Sequence, residues 1–163
     1  MRIHIRQAEE RDLEHIVSFS KKLSDFNWEN HSPACKYDDY ELVMQAVGKK
    51  WQAIFQNKDE NILFLVAEND QKPLGYLVAR IYEEDRAADA GTGRVGLIEK
   101  LFLSEEARGD SLGQKLMDEV MGWFQSKDVR RVRVEPYAWN ERAKAFYEKN
   151  GFMEYSVVFE KFI

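Results

Sequence analysis

The chain predicts an α/β fold, a mixed sheet with helices on its faces, and three features carry that prediction. Segments with a hydrophobic period of two alternate with segments of helical period in the order β-α-α-β-β-β-α-β-α-β. Two central strand segments are joined by a short polar turn, which makes them an antiparallel hairpin. Two later ones are separated by an amphipathic helix, the crossover that a βαβ unit requires. The 163 residues, 44% hydrophobic and 33% charged, suit a single domain over 1–163 with room for a core.

Residues 3–8 set Ile3 and Ile5 against His4 and Arg6, the alternation of a half-buried strand. Asp12 stands where it can cap a helix whose Leu13, Ile16, Val17, Phe19 and Leu23 recur at helical spacing and predict an end near Leu23. Residues 24–38 contain Pro33 without clear periodicity and read as a loop with aromatic anchors. A second helix over 38–55 carries Tyr40, Val43, Met44, Val47, Trp51 and Phe55 as its apolar stripe. Residues 62–68 form an apolar run suited to a strand covered on both faces, and Asn69, Asp70 and Gln71 turn it into a partner over 73–82. Residues 83–93 turn acidic and small, as in an exposed loop.

A fourth strand spans 95–103. After it, Leu112, Leu116, Val120, Trp123 and Phe124 share one helical face, and Ser111 with Gln114 has the pattern of a capping box. Residues 129–135 alternate Val132 and Val134 with Arg131 and Arg133 and predict a fifth strand, its arginine face wet or covered by long side chains. Asn140 caps a short helix bearing Ala143, Phe146 and Tyr147, which Asn150 and Gly151 stop. Residues 152–162 alternate well enough for one last strand.

The net charge of −5 gives no general pull toward nucleic acid, whose non-specific binding needs a cationic surface. It mildly favours cationic substrates. The lone Cys35 cannot form an internal disulfide, the N-terminus lacks a signal-peptide run, and no stretch approaches the roughly 18 to 20 apolar residues of a membrane span. These features predict a soluble, cytoplasmic protein with neither nucleic acid nor membrane as partner.

Chemistry concentrates where the fourth strand hands over to a helix through Arg108, Gly109, Asp110, Ser111, Leu112 and Gly113. Such a turn aims backbone N–H groups and the positive end of a helix dipole at one spot, where an anion can rest. It is neither a Walker loop nor the GxGxxG dinucleotide fingerprint. Read alone, the two glycines also suit an ordinary tight turn.

Together with residues 132–152, the turn resembles the GNAT superfamily of acetyl-CoA-dependent N-acetyltransferases. The family's phosphate loop, Gln/Arg-x-x-Gly-x-Gly/Ala, is matched by 108–113, with Ser111 where glycine is usual. The family's later pattern Asn-x-x-Ala-x-x-Phe-Tyr-x-x-x-Gly-Phe is matched at Asn140, Ala143, Phe146, Tyr147, Gly151 and Phe152. The resemblance implies the GNAT fold, a mixed and mostly antiparallel six- to seven-stranded sheet flanked by about four helices. It implies acetyl-CoA as co-substrate, no metal, and transfer to a primary amine by direct attack in a ternary complex. Arg108 to Gly113 would hold the pyrophosphate. Leu101, Phe102 and Leu103 would offer a strand edge to pantetheine where the fourth strand splays from the fifth, an end of pairing that Pro136 fits. Asn140 and Ala143 would also touch the cofactor.

In the same resemblance Tyr147 is the catalytic acid that assists the departing thiolate, and Glu99 the base, with Glu135 and Tyr137 as rivals. On residue type alone, Tyr147 also reads as a core aromatic and Glu99 as a salt-bridged strand residue. Arg142, Lys144 and Lys149 either reach a cofactor 3′-phosphate or are simply solvated, and His31 reads as a surface residue. Phe26, Trp28, Tyr37 and Tyr40 with Asp25, Glu29, Asp38 and Asp39 fall where the family lines its acceptor pocket, a mixture suited to a cationic amine. The acceptor is accordingly a small amine, cationic if those acids line its pocket, or a protein amine, and the resemblance allows a homodimer. The alternative from another class is a non-catalytic acyl-CoA-binding sensor, which needs the phosphate loop but not the acid.

Overall fold

The alternation at the N-terminus becomes β1 (Ile3–Gln7), which lies antiparallel to β2 (Ile62–Asn69) with Ile5 opposite Ala67. The computed structural model describes residues 3–32, 39–70, 72–85, 93–109, 111–161 and 163. β2 turns through Asp70, at φ +45°, into β3 (Lys72–Glu83), and β3 pairs antiparallel with β4 (Arg94–Leu103). β5 (Val132–Val134) adds to β4 in parallel. The sheet is therefore mixed, with spatial order β1-β2-β3-β4-β5.

One face of the sheet packs beneath α1 (Leu13–Asn30) and α2 (Tyr40–Asn57), where Ile16, Phe19 and Trp51 meet Phe64, Val66, Tyr76, Val78 and Phe102. The opposite face packs beneath α3 (Leu112–Ser126), whose Leu112, Leu116, Met117, Val120 and Phe124 cover Leu65, Leu77, Ala79 and Ile98. Gly96 lets α3 settle close to β4: a Cβ there would lie 2.4 Å from the Phe124 ring. α4 (Glu141–Lys149) starts at the cap Asn140 and ends beside Gly151 at φ +83°.

Four elements differ from the expectation. α1 passes Leu23 and runs to Asn30, because Asp25 pairs with Lys21 one turn back and Asn30 bonds the Phe26 carbonyl, so 24–30 is helix rather than loop. α2 begins at Tyr40, its first turn capped by the Asp39 carboxylate. β5 keeps only three of the predicted seven residues, since Val129 N–H is held by the Phe124 carbonyl and Asp128 takes φ +56°.

The predicted last strand is not formed over the described residues 152–161, which leaves five strands among the described residues rather than six or seven. Alternation selects the side chains that would share a face, but a strand also needs an edge to join. The short β5 offers little of one: Arg131 and Arg133 pair with Glu84 and carry the Tyr155 ring at 4.6 and 5.1 Å, while Val157, Val158 and Phe159 stay exposed. Cys35, Tyr37, Asp38, residues 86–92 of the predicted acidic loop, and Phe162 lie outside the described residues. No helix among the described residues is long and apolar enough to cross a membrane.

Candidate functional site

The turn after β4 has the backbone an anion site requires. A single 3-10 turn, Glu105–Ala107, leads from Leu103 to Arg108, whose Nε donates to the Leu103 carbonyl at 3.3 Å. Gly109 stands at φ +103° and Ser111 at φ +56°. Ser111 therefore holds the left-handed conformation that glycine adopts without penalty and that costs another residue about 1–2 kcal/mol. Its side chain gives no cap to α3, and Gln114 instead donates to Asp118 at 2.9 Å and Asn150 at 2.7 Å, so the predicted capping box does not form. With no side-chain acceptor at the first turn, the α3 amides and the positive end of its dipole remain available to a ligand. Asp110 lies outside the described residues.

Both motif stretches meet in space. A Cβ on Gly113 would lie 3.4 Å from the Phe146 ring and 3.5 Å from Leu103 Cδ1. Gln114 and Asn150 tie the start of α3 to the end of α4. The Asn140 side chain accepts from the Ala143 amide at 3.1 Å and is thus committed to capping α4. Tyr147 packs edge-on against Phe146 and Phe152 at ring distances of 5.4 and 5.7 Å, and its hydroxyl has no hydrogen-bond partner among the described residues. Burial pushes its phenol up to about 12.

β4 and β5 separate where the resemblance requires a splay. Their pairing runs Gly96 to Val132, Leu97 to Arg133 and Ile98 to Val134, and stops there. From Lys100 to Leu103 the strand keeps β3 on one side and, among the described residues, no strand on the other. Leu101 and Leu103 point to the α3 side of the sheet and Phe102 to the α1–α2 side. At the point of separation β4 carries a β-bulge: Val78 faces Lys100 and Ala79 faces Ile98, which leaves Glu99 as the extra residue. A bulge re-aims side chains, and this one sets two consecutive residues, Glu99 and Lys100, into a single cavity.

That cavity, of about 400 Å³, lies between α1, α2 and the β3–β4 ladder. A buried relay forms part of its wall, with Trp51 Nε1 donating to Ser20 Oγ at 3.0 Å and Ser20 Oγ lying 2.9 Å from the Tyr76 hydroxyl, whose pKa burial raises to about 12. The charged groups are Lys50, Arg80, Glu99, Lys100 and Glu135. The Glu99 carboxylate is engaged on both oxygens, by the Lys50 ammonium on Oε1 and by Arg80 Nε at 3.6 Å from Oε2. Lys50 also lies over the Trp51 ring at 4.8 Å. Burial, then the neighbouring Arg80 and Lys100, push the Lys50 ammonium below its ordinary value against the pull of Glu99, and burial alone lowers Lys100.

Of the predicted residues, Glu99 and Glu135 line this cavity, while Tyr147, Asn140 and the phosphate turn sit on the α3–α4 side. None of the described members of the acidic and aromatic set expected around an acceptor lines it. Asp25 binds Tyr40 and Lys21, Asp39 caps α2, Trp28 packs on Tyr40 at 5.9 Å, and Phe26 packs on Trp139 at 5.5 Å. His31 and Tyr137 join that last cluster, with Trp139 Nε1 donating to His31 Nδ1 at 3.3 Å. Lys144 is paired with Glu141. Lys50, Arg80 and Lys100 were missed because each lies in a different segment, and a lysine within a helical or strand pattern carries no signal of its own. No group of three or more His, Cys, Asp or Glu that could hold a metal ion occurs among the described residues.

Comparison with protein families matches residues 21–152 to the acetyltransferase (GNAT) family. Curated protein sequences give no match. Among solved structures, the chain is similar to a tetramutant of the BH1408 protein from Bacillus halodurans at 19% identity and a TM-score of 0.79, covering 98% of this chain and 99% of that one. It is similar to a predicted acetyltransferase with acetyl-CoA from Clostridium acetobutylicum at 14% identity and a TM-score of 0.75, with 98% and 96% covered. It is also similar to AAC(6')-Iy in complex with the bisubstrate analogue CoA-S-monomethyl-acetylneamine, at 21% identity and a TM-score of 0.72, with 100% and 99% covered.

Proposed function

The chain belongs to the acetyltransferase (GNAT) family, and on that premise we propose that it is a single-domain N-acetyltransferase that moves the acetyl group of acetyl-CoA to a small primary amine by direct attack in a ternary complex. The observation that carries this reading is an order along one strand: the uncapped α3 N-terminus, the β4 stretch from Glu99 to Leu103 that β5 leaves unpaired, and the cavity beyond the bulge follow one another along β4. The three segments suit, in order, a pyrophosphate, an amide-bearing arm and an acceptor. The AAC(6')-Iy complex supports a ternary route, since its ligand joins CoA to an acetylated amine.

Arg108, Gly109, Asp110, Ser111, Leu112 and Gly113 cradle the pyrophosphate, with Asn140 and Ala143 at the neighbouring helix start. Leu101, Phe102 and Leu103 present backbone to pantetheine. The neutral amine attacks the thioester carbonyl; a C–N bond forms, the C–S bond breaks, and the amine's surplus proton leaves as the thiolate gains one. A phenol at about 12 against a thiol near 8.5 makes complete proton transfer uphill by about 5 kcal/mol. Tyr147 therefore acts as a hydrogen-bond donor to the departing sulfur, strongest as charge develops, and the proton itself arrives from water. Glu99 receives the amine proton after the substrate's ammonium displaces Lys50, an exchange of one cation for another on the same oxygen.

A thiol-release assay with acetyl-CoA and a panel of amines tests this. Turnover with at least one small amine, with KM values for both substrates and intersecting initial-rate lines, is the expected result. Tight acetyl-CoA binding without thiol release for any amine would replace the enzyme reading with an acyl-CoA sensor. Parallel initial-rate lines would replace the ternary route.

A further inference from the structure

We propose that the acceptor is a small amine that also carries an anionic group, a carboxylate or a phosphate, and that Lys100, with Arg80 and Lys50, forms the subsite for that anion. The inference rests on the acetyl-transfer reading of the site and names the substrate class it takes. Four observations lead to it. Three cations from three elements, α2, β3 and β4, converge on one cavity. The carboxylates facing them are Glu99 and Glu135, and Glu99 is shared by Lys50 and Arg80, so neither cation is neutralised by a partner of its own. Lys100 has no acidic or hydrogen-bonding partner among the described residues, although it is half-buried. The β4 bulge then aims this lysine into the same cavity as Glu99.

A half-buried ammonium without a counterion is an unfavourable arrangement in the protein alone, and an anion arriving beside it relieves that cost. The neighbouring Glu99 supplies the opposite sign one residue away. The pair therefore matches a substrate carrying both an ammonium and an anion: the ammonium takes Lys50's place on Glu99, and Lys50 turns with Lys100 and Arg80 to the anion. A polycationic amine would meet three like charges in the same space, a specificity that rests on repulsion as much as attraction.

Two measurements test the subsite. The first compares matched amines at saturating acetyl-CoA: an amino carboxylate against its amide, an amino-sugar phosphate against the free amino sugar, and a linear polyamine. A preference of at least tenfold in kcat/KM for an anionic member over its neutral counterpart is expected, and which pair shows it identifies carboxylate or phosphate. Lys100→Met should raise KM for the anionic amine about tenfold with little change in kcat, and should erase the preference. Equal or better turnover of neutral amines or the polyamine overturns the proposal. So does a Lys100→Met variant that loses kcat at unchanged KM, which would make Lys100 a proton acceptor instead.

The second is calorimetry with inorganic phosphate and with succinate on protein saturated with CoA, so that the turn before α3 is already filled. Saturable binding that Lys100→Met abolishes is expected. Absence of such binding for both anions overturns the subsite whatever the assay shows. Lys100-dependent anion binding without acetylation of any amine would leave the subsite standing and remove the acetyl-transfer reading instead.

Discussion

The two regions that flank the separation of β4 from β5 are built from different materials. On the α3–α4 side the proposed recognition elements are backbone: helix amides, the left-handed residues Gly109 and Ser111, and a strand edge released where β5 departs. On the α1–α2 side they are side chains of Lys50, Arg80, Glu99 and Lys100, brought from three segments of the chain and aimed by a single bulge. A backbone site needs particular residues only where side chains would interfere, so it leaves a short local signature. A side-chain site can be assembled from any positions that the fold makes adjacent, and leaves none.

Breaking the backbone end should have the largest effect. Gly113→Glu forces a side chain toward Phe146 and Leu103 and puts a negative charge where phosphate would rest. Acetyl-CoA affinity should fall about 100-fold, about 2.7 kcal/mol, by calorimetry, with the fold intact by circular dichroism. Retained affinity would show that the α3 turn is not the phosphate site. Next comes Tyr147, the proposed hydrogen-bond donor to the departing sulfur. Tyr147→Phe should lower kcat about tenfold, about 1.4 kcal/mol, while acetyl-CoA affinity stays within a factor of two. An unchanged rate across the pH range would leave Tyr147 a packing residue.

A smaller change sharpens the comparison in the other direction. Ser111→Gly removes a strained left-handed serine at the cost of a more flexible unfolded chain, and should raise stability by up to about 1 kcal/mol, or about 2–4 °C in Tm. No gain would mean that the side chain compensates for its strain.

The smallest expected effect lies at the cavity proposed for the acceptor. Lys50 and Lys100, facing Arg80, Glu99 and Glu135, have folded values lowered from the ordinary one. Between those lowered values and about 10.4 the unfolded chain binds more protons than the folded one, so their contribution makes stability rise with pH across that window. Lys100→Met should flatten the rise, as read from Tm against pH without added anion. An identical profile would place Lys100 in a solvated setting.

How far the sequence could be read follows the same division. The hairpin of β2 and β3, the α3 stripe and the Asn140-capped α4 are local patterns whose partners lie next to them in the chain, and all were legible. The end of α1 was not, because an i,i+4 pair and a side-chain bond at Asn30 carried the helix through residues without an apolar period. The strand predicted over 152–162 is absent over the described 152–161 for the opposite reason: the segment alternated well enough, but pairing depends on an edge elsewhere. Ser111 shows both cases at once. As a residue it departs from the glycine pattern, and only its φ reveals that the backbone keeps the glycine conformation.

The sequence by itself determined the mixed α/β layering, the order of the elements as far as α4, and the glycine-bearing turn with its Asn140–Phe152 companion, since these rest on periodicity and on residues a few positions apart. Tertiary structure alone decided where β5 leaves β4, that Glu99 sits in a bulge, and that Lys50, Arg80 and Lys100 share one cavity with it. Register and convergence depend on contacts between residues far apart in the chain, and side-chain charge gains its meaning from the groups it is buried among.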